Sequence, residues 1–117
     1  MRIRLGMADS LLKLVFFVPE SHKEAVKHAI FAAGAGGYDG YDSCCWESQG
    51  TGQFRPLDGS QPYIGQQGQV EYVAEYRVET VCPTQQIKPV LNALLSSHPY
   101  ETPAYEVWSV LTLDDFK

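Results

Sequence analysis

The stretch LLKLVFFVPESHKEAVKHAI, residues 11–30, predicts a buried strand that leads directly into a helix. Leu11 to Val18 is an almost continuous apolar run, and its length and aromatic content favour a central strand over a helix. Pro19 and Glu20 suit the first positions of a helix, where a carboxylate complements the positive end. Apolar residues then recur at helical spacing at Ala25, Val26, Ala29, Ile30 and Ala33.

A long loop and a long strand are predicted in the middle of the chain. Gly34 ends the first helix, and the mixed aromatic and polar segment 38–49 predicts a second strand. Gly, Pro, Ser and Gln crowd residues 50–69, which predicts a loop of a length that is frequently functional. From 70 to 79, apolar and charged residues alternate with a period of two, as in a strand with one wet or interfacial face.

A second helix and a last strand complete the predicted order. The helix begins near Thr84, although Pro89 fits only if the first turn lies close to it, and His98-Pro99 ends it. The last strand covers 104–113. The order βαββαβ predicts an α+β, ferredoxin-like fold, with a four-stranded antiparallel sheet and two helices on one face. The uncovered face then has to be polar, pack on another subunit or bind a ligand.

Size and charge exclude several classes of protein. A chain of 117 residues has room for one core, so we expect an N-terminal extension at 1–10 and a single domain at 11–117. The net charge of −5 and the lack of a basic cluster argue against nucleic-acid binding. No apolar run is long enough to span a membrane, and three cysteines fit free thiols in a reducing compartment, which predicts a cytoplasmic protein.

Four motifs in one order resemble a known family. They are LVFFVP at 14–19, GAGGYDGYDSC at 34–44, GTGQFRP with a later PYIG within 50–65, and HPYETPAYEV at 98–107. Together they resemble the inserted domain of the NIF-three-like family, and the resemblance runs over nearly the whole chain from about Lys13.

The resemblance implies a PII/CutA-like fold and a trimer whose clefts between subunits hold a ligand or a metal ion. Full-length members of the family carry two outer domains that hold a pair of metal ions, and their metal-ligand motifs find no counterpart in this sequence. The hydrolase or cyclohydrolase labels of the family therefore do not carry over, and the chain is expected to be a stand-alone version of the inserted domain.

The segment after the second helix holds the strongest candidates for a metal site. His98 and Glu101 share one turn with Tyr100, and an imidazole with a carboxylate three residues later suits zinc or copper. Cys45 and Glu75 are further candidate ligands. The alternative is structural, with His98 bonded to the end of the helix and Glu101 accepting backbone hydrogen bonds.

The loop supplies a second set of candidates. Its length allows it to form a flap over a cleft, with Arg55 and Tyr100 as residues that touch a ligand, Arg55 being the cation for an anionic one. No nucleophile and base occur in a recognisable pattern, so an enzyme is less supported than a binding protein.

Three hypotheses for function follow. The first is a small PII/CutA-like module that binds a metal ion or small ligand in a homo-oligomer, with a trimer favoured. The second is an assembly domain that binds protein without any ligand. The third is an accessory part of a metal-dependent hydrolase whose other parts are separate chains.

Overall fold

A computed structural model of the chain describes residues 11–116. Four strands and two α-helices form the predicted order, and the strands lie in the sheet as β2-β3-β1-β4, every neighbouring pair antiparallel. The prediction of a ferredoxin-like fold is therefore confirmed. The extension predicted at 1–10 lies outside the described residues. In chain order the elements are β1 (Leu11–Pro19), α1 (Glu20–Ala33), β2 (Cys45–Phe54), β3 (Glu71–Pro83), α2 (Ile87–Ser97) and β4 (Tyr105–Val110).

The core lies between the two helices and one face of the sheet. Alternate residues of the central strand β1, Leu14, Phe16 and Val18, are fully buried there. Alternation along a strand sends the residues between them to the opposite face. The helices contribute the partners, and the buried ones are Val26, Ile30, Val90 and Leu94. Among residues 11–116, no helix has the length and apolar character needed to cross a membrane.

The second strand differs from its prediction at both ends. Residues 38–43 form a tight turn, in which Tyr38 and Tyr41 exchange backbone hydrogen bonds of 2.8 and 2.9 Å. Strand β2 begins only at Cys45 and continues through Gly50 and Gly52 to Phe54. These glycines are held in extended form because each pairs with β3, so the loop shortens to residues 55–70.

Pro89 lies in the first turn of α2, after a short 3₁₀ turn at Thr84–Gln86. The first four N–H groups of a helix have no partner within it, so the missing N–H of Pro89 removes no hydrogen bond. The sequence predicted that Pro89 fits only if the first turn of the helix lies close to it. This prediction is confirmed, because α2 begins two residues before Pro89.

Gly36 fixes the path from α1 into β2. Its φ of 87° is in the left-handed region, its N–H donates to Val81 at 2.8 Å, and its carbonyl accepts from Cys44 at 2.8 Å. A side chain at this position would collide with the ring of Phe31. Glycine is therefore required here both for backbone conformation and for packing.

Strands β2 and β3 continue as a hairpin beyond the rest of the sheet. Pairing between β1 and β3 stops at Pro19 and Glu75, whereas β3 remains paired with β2 as far as Glu71 and Phe54. The protruding end of the hairpin leaves a recess beside the end of β1. The 55–70 loop and the segment after α2 border this recess.

Candidate functional site

A cleft of about 340 Å³ occupies the recess at the end of β1. Four aromatic rings line it: Phe17 from β1, Phe54 from the end of β2, Tyr63 from the loop and Tyr100 from the segment after α2. The carboxyl groups of Glu75 and Glu101 lie among them. Its volume falls at the lower end of the range for small-molecule sites, which are mostly apolar with a few convergent polar groups.

His98 holds the segment after α2 against β1. Its Nε2 lies 2.7 Å from the carbonyl oxygen of Phe17, and a carbonyl only accepts, so Nε2 carries the proton. Its Nδ1 then accepts from the backbone N–H of Tyr100 at 3.1 Å. Burial lowers the pKa of His98, although the bond to Phe17 acts in the opposite direction. Both ring nitrogens of this neutral imidazole are thus engaged with backbone.

Tyr100 is the residue that this anchoring positions in the cleft. Its hydroxyl donates to Oε2 of Glu75 at 2.7 Å. Burial, and next the bond to Glu75, raise the pKa of the Tyr100 phenol well above its usual value, so it remains a donor at neutral pH. The carboxylate of Glu75 is consequently held at a defined place on the cleft floor.

The absence of a side chain at Gly52 makes room for that carboxylate. Gly52 lies on β2, on the same face as Glu75, and a Cβ at Gly52 would overlap Oε1 of Glu75. A glycine within a strand often marks a site of close approach. Here it allows the carboxylate to lie flat against the hairpin.

Glu101 joins the loop to the segment after α2. Its Oε2 accepts from the backbone N–H of Gln61 at 2.6 Å. Within the loop, the N–H of Gly68 donates to the carbonyl of Pro56 at 2.6 Å, and Gln67 donates to the carbonyl of Ser60 at 2.9 Å. The loop is therefore a folded wall of the cleft, attached at its middle by Glu101.

Cys45 lies away from these residues. It pairs with Thr80 on β3, five positions from Glu75, a separation of about 16 Å along a strand. It also faces the helices, where it packs against the core, whereas Glu75 faces the opposite side of the sheet. Burial raises the pKa of the Cys45 thiol, with Lys27 acting in the opposite direction, so the thiol is protonated at neutral pH.

The structure therefore brings together three of the four residues predicted to bind metal, namely His98, Glu101 and Glu75, at or beside one cleft. In this arrangement they form no coordination site, because the imidazole has no free lone pair and Cys45 is remote. Within residues 11–116, no group of three or more His, Cys, Asp or Glu side chains is placed to hold a metal ion. A zinc or copper site stays a prediction.

Of the two residues predicted to touch a ligand, Arg55 and Tyr100, only one lies in the cleft. Tyr100 lines the cleft, whereas Arg55 is exposed and lies outside the lining. Sequence reasoning missed Phe17, Phe54 and Tyr63 as lining residues. The alternation of β1 was a signal for Phe17, since a strand with Phe16 in the core points Phe17 to the other face.

No protein-family model matches the chain, but comparison with curated proteins finds relatives over most of its length. A Bacillus subtilis protein named GTP cyclohydrolase 1 type 2 homolog is 46% identical over 102 residues, which is 87% of this chain and 27% of that protein. A Mycobacterium tuberculosis protein of the same name is 47% identical over 106 residues, 91% of this chain. The chain thus spans about a quarter of the length of the curated relatives it matches.

Solved structures agree. A Bacillus cereus protein related to NIF3 superposes with a TM-score of 0.76 and 39% identity, covering 90% of this chain and 27% of that chain. The divalent cation tolerance protein CutA of Archaeoglobus fulgidus superposes with a TM-score of 0.64 over 91% of this chain and 90% of its own, at 14% identity, which shows the fold alone. Over most of its length the chain is therefore homologous to one part of NIF3-related proteins, and it has a CutA-like fold.

Proposed function

We propose that this domain is a binding module for a small molecule, and that it works as a homo-oligomer. The observation that carries the proposal is the cleft at the end of β1, with four aromatic walls and two carboxyl groups. Every wall is held by hydrogen bonds that run between different elements. Such support is what a preformed site needs in order to bind without a large cost of ordering.

The roles follow from the contacts. Tyr100 and Glu75 form the polar floor, since their bond of 2.7 Å joins the segment after α2 to the hairpin. Glu101 keeps the loop closed through Gln61. His98 is a positioning residue, because it acts on the cleft through the backbone of Phe17 and Tyr100.

A ligand screen with a matched pair of variants tests this proposal. Amide chemical shifts of the full chain are followed by NMR while amino acids, amines and nucleotides are added separately at millimolar concentration. We expect one class to shift resonances of the cleft, and Tyr63→Ala to weaken that binding. Tyr72→Ala removes another exposed tyrosine, on the part of the hairpin outside the cleft lining, and is expected to leave binding unchanged. Failure of every class to bind would refute the module.

The open face of the sheet supports self-association. Trp46 on β2 and Trp108 on β4 are 61% and 41% exposed, and both share the face that the helices leave uncovered. Between them, Lys13 and Arg77 form ion pairs with Glu79, at 4.0 and 3.0 Å. Exposed large aromatics, with charges of both signs between them, are suited to contact with further copies of the chain. The proposed assembly is the trimer implied by the family resemblance.

Light scattering on the full chain tests the assembly. We expect the native mass of a trimer, and dissociation when Trp46→Ser and Trp108→Ser are combined. Leu95→Ser, a change of an exposed apolar residue on α2, is the matched control and is expected to keep the trimer. A monomer at about 50 μM wild-type protein would contradict the proposal, since interfaces of ordinary size hold at such concentrations.

Metal binding remains a separate proposal, with His98, Glu101, Glu75 and Cys45 as its residues and zinc or copper as its ions. Calorimetric titration of each ion decides it: a stoichiometric site that Glu101→Gln abolishes would support it, and no binding heat would exclude it. An accessory role in a metal-dependent hydrolase rests on the relatives' printed name, GTP cyclohydrolase 1 type 2 homolog, which is said of proteins about three times as long as this chain.

A further inference from the structure

We infer that the cleft takes a small organic cation, a compact ammonium or guanidinium group, and this inference rests on the small-molecule site proposed above. Its class follows from the charges and the rings that line the cleft. Both are properties of residues that the fold brings together from five separate stretches of the chain.

The lining carries negative charge only. Glu75 and Glu101 line the cleft, and no Lys, Arg or His belongs to the described lining. Each carboxylate has been given one hydrogen-bond donor from the protein, the Tyr100 hydroxyl and the Gln61 amide. Since an ionised carboxyl group accepts about four hydrogen bonds, both retain capacity for a ligand that donates.

The aromatic rings add attraction for the same charge. Tyr100 lies 6.5 Å from Phe54 and 6.2 Å from Tyr63 between ring centroids, with interplanar angles of 49° and 44°. Tilted rings of this kind form a concave wall rather than a stack. The negative faces of such rings attract ammonium and guanidinium groups within about 6 Å of a centroid.

Arg55 is the cation that would favour an anionic ligand, but it lies outside the cleft. It follows Phe54 directly, but its side chain is exposed and does not belong to the lining. An anion seated in the cleft would therefore meet two carboxylates before it met this guanidinium. At separations of about 4 Å, like charges in a partly buried site repel by several kcal/mol.

The shape limits the cation to a small one. A volume of about 340 Å³ admits a molecule of roughly amino-acid size. Choline and agmatine are suitable probes, because they carry a quaternary ammonium and a guanidinium on short chains. The neutral alcohol 3,3-dimethyl-1-butanol is the isostere of choline that lacks the charge.

Titration of the full chain with these probes, followed by NMR, tests the inference. We expect choline or agmatine to bind at the cleft at least about tenfold more tightly than the neutral alcohol. Glu101→Gln, at an exposed position, and Glu75→Gln should each weaken binding of the cation severalfold. Glu106→Gln, an exposed glutamate on β4, is the matched control and should leave the affinity unchanged.

Two results overturn the inference while the proposed function stands. One is equal binding of choline and its neutral isostere, which would make the cleft an apolar site. The other is tighter binding of an anion such as AMP that Arg55→Ala abolishes and Glu101→Gln does not weaken. If the cations, the neutral alcohol, AMP and the amino acids of the screen above all fail to bind at millimolar concentration, both the inference and the small-molecule site are refuted.

Discussion

The two faces of β1 differ although their residues alternate along one strand. Phe16 is fully buried between the sheet and the helices, while its neighbour Phe17 lines the cleft on the other face and lies 5.8 Å from the Arg77 guanidinium. The first face is closed by α1 and α2, and the side chains buried against it are apolar apart from Thr80, whose hydroxyl donates to the carbonyl of Cys44. The second face has no helix, so charged and aromatic groups remain in reach of a ligand or a partner. Function therefore has to be sought on the second face and stability on the first.

Replacement of the two neighbouring phenylalanines tests this contrast most strongly. Phe16→Ala should lower the free energy of unfolding by about 3–5 kcal/mol, because it leaves a cavity in a closed core. Phe17→Ala should cost about 1 kcal/mol, since its ring is only partly buried. Urea unfolding followed by circular dichroism measures both. Equal losses would show that the second face is as closed as the first.

Removal of the His98 ring is expected to have the next largest effect. His98→Ala leaves the carbonyl of Phe17 and the N–H of Tyr100 without partners, at a cost of about 1–3 kcal/mol. Urea unfolding measures the loss. His28 is exposed on α1, so His28→Ala serves as the matched control and should be nearly neutral. A neutral result for His98→Ala would contradict its anchoring role.

The pH dependence of stability sharpens the same point. Burial lowers the pKa of His98 below 6.5, so the unfolded chain takes up a proton there that the folded protein does not. The contribution of the neutral ring is therefore complete above pH 6.5 and is lost as the pH falls below it. At pH 5.5 the loss cannot exceed about 1.4 kcal/mol. The free energies of unfolding at pH 7.5 and at pH 5.5 should differ less in His98→Gln than in the wild type. Equal differences in the two proteins would refute the lowered pKa of His98.

The smallest expected effect concerns the polar pair in the cleft. Tyr100→Phe and Glu75→Gln should each cost about 1 kcal/mol, since the bond between them is only partly buried. A double-mutant cycle should return a coupling of about 0.5–1.5 kcal/mol. Tyr105→Phe with Glu106→Gln, both exposed on β4, is the control cycle. A coupling no larger than that of the control would remove the polar floor from the proposed site.

Much of the fold was predictable because local patterns agree with it. The apolar run of β1, the alternation of β3 and the stripe of α2 each specify one element, and their order specifies the sheet. The errors concern segment 38–54, where β2 begins at Cys45 and includes Gly50 and Gly52. Glycines carry no pattern of their own, and only the pairing with Glu75 and its neighbours holds them in a strand.

The site was less predictable for a related reason. His98, Tyr100, Glu101 and Glu75 were named from the sequence and all lie at or beside the cleft. Their roles could not be predicted, because the sequence around a histidine in a turn does not show whether its nitrogens face a metal ion or two backbone groups. The separation of Cys45 from Glu75 by about 16 Å follows from strand register, which no local motif encodes.

The sequence by itself determined the order of strands and helices, the apolar face that each presents and the resemblance to NIF3-related proteins. The tertiary structure decided which aromatic rings meet, which carboxylate receives the Tyr100 hydroxyl and which of Arg55 and Glu75 lines the cleft. The physical reason is one of range. Periodicity and turns depend on residues a few positions apart, whereas the cleft combines residues 17, 54, 63, 75 and 100, whose contacts exist only once the sheet has formed.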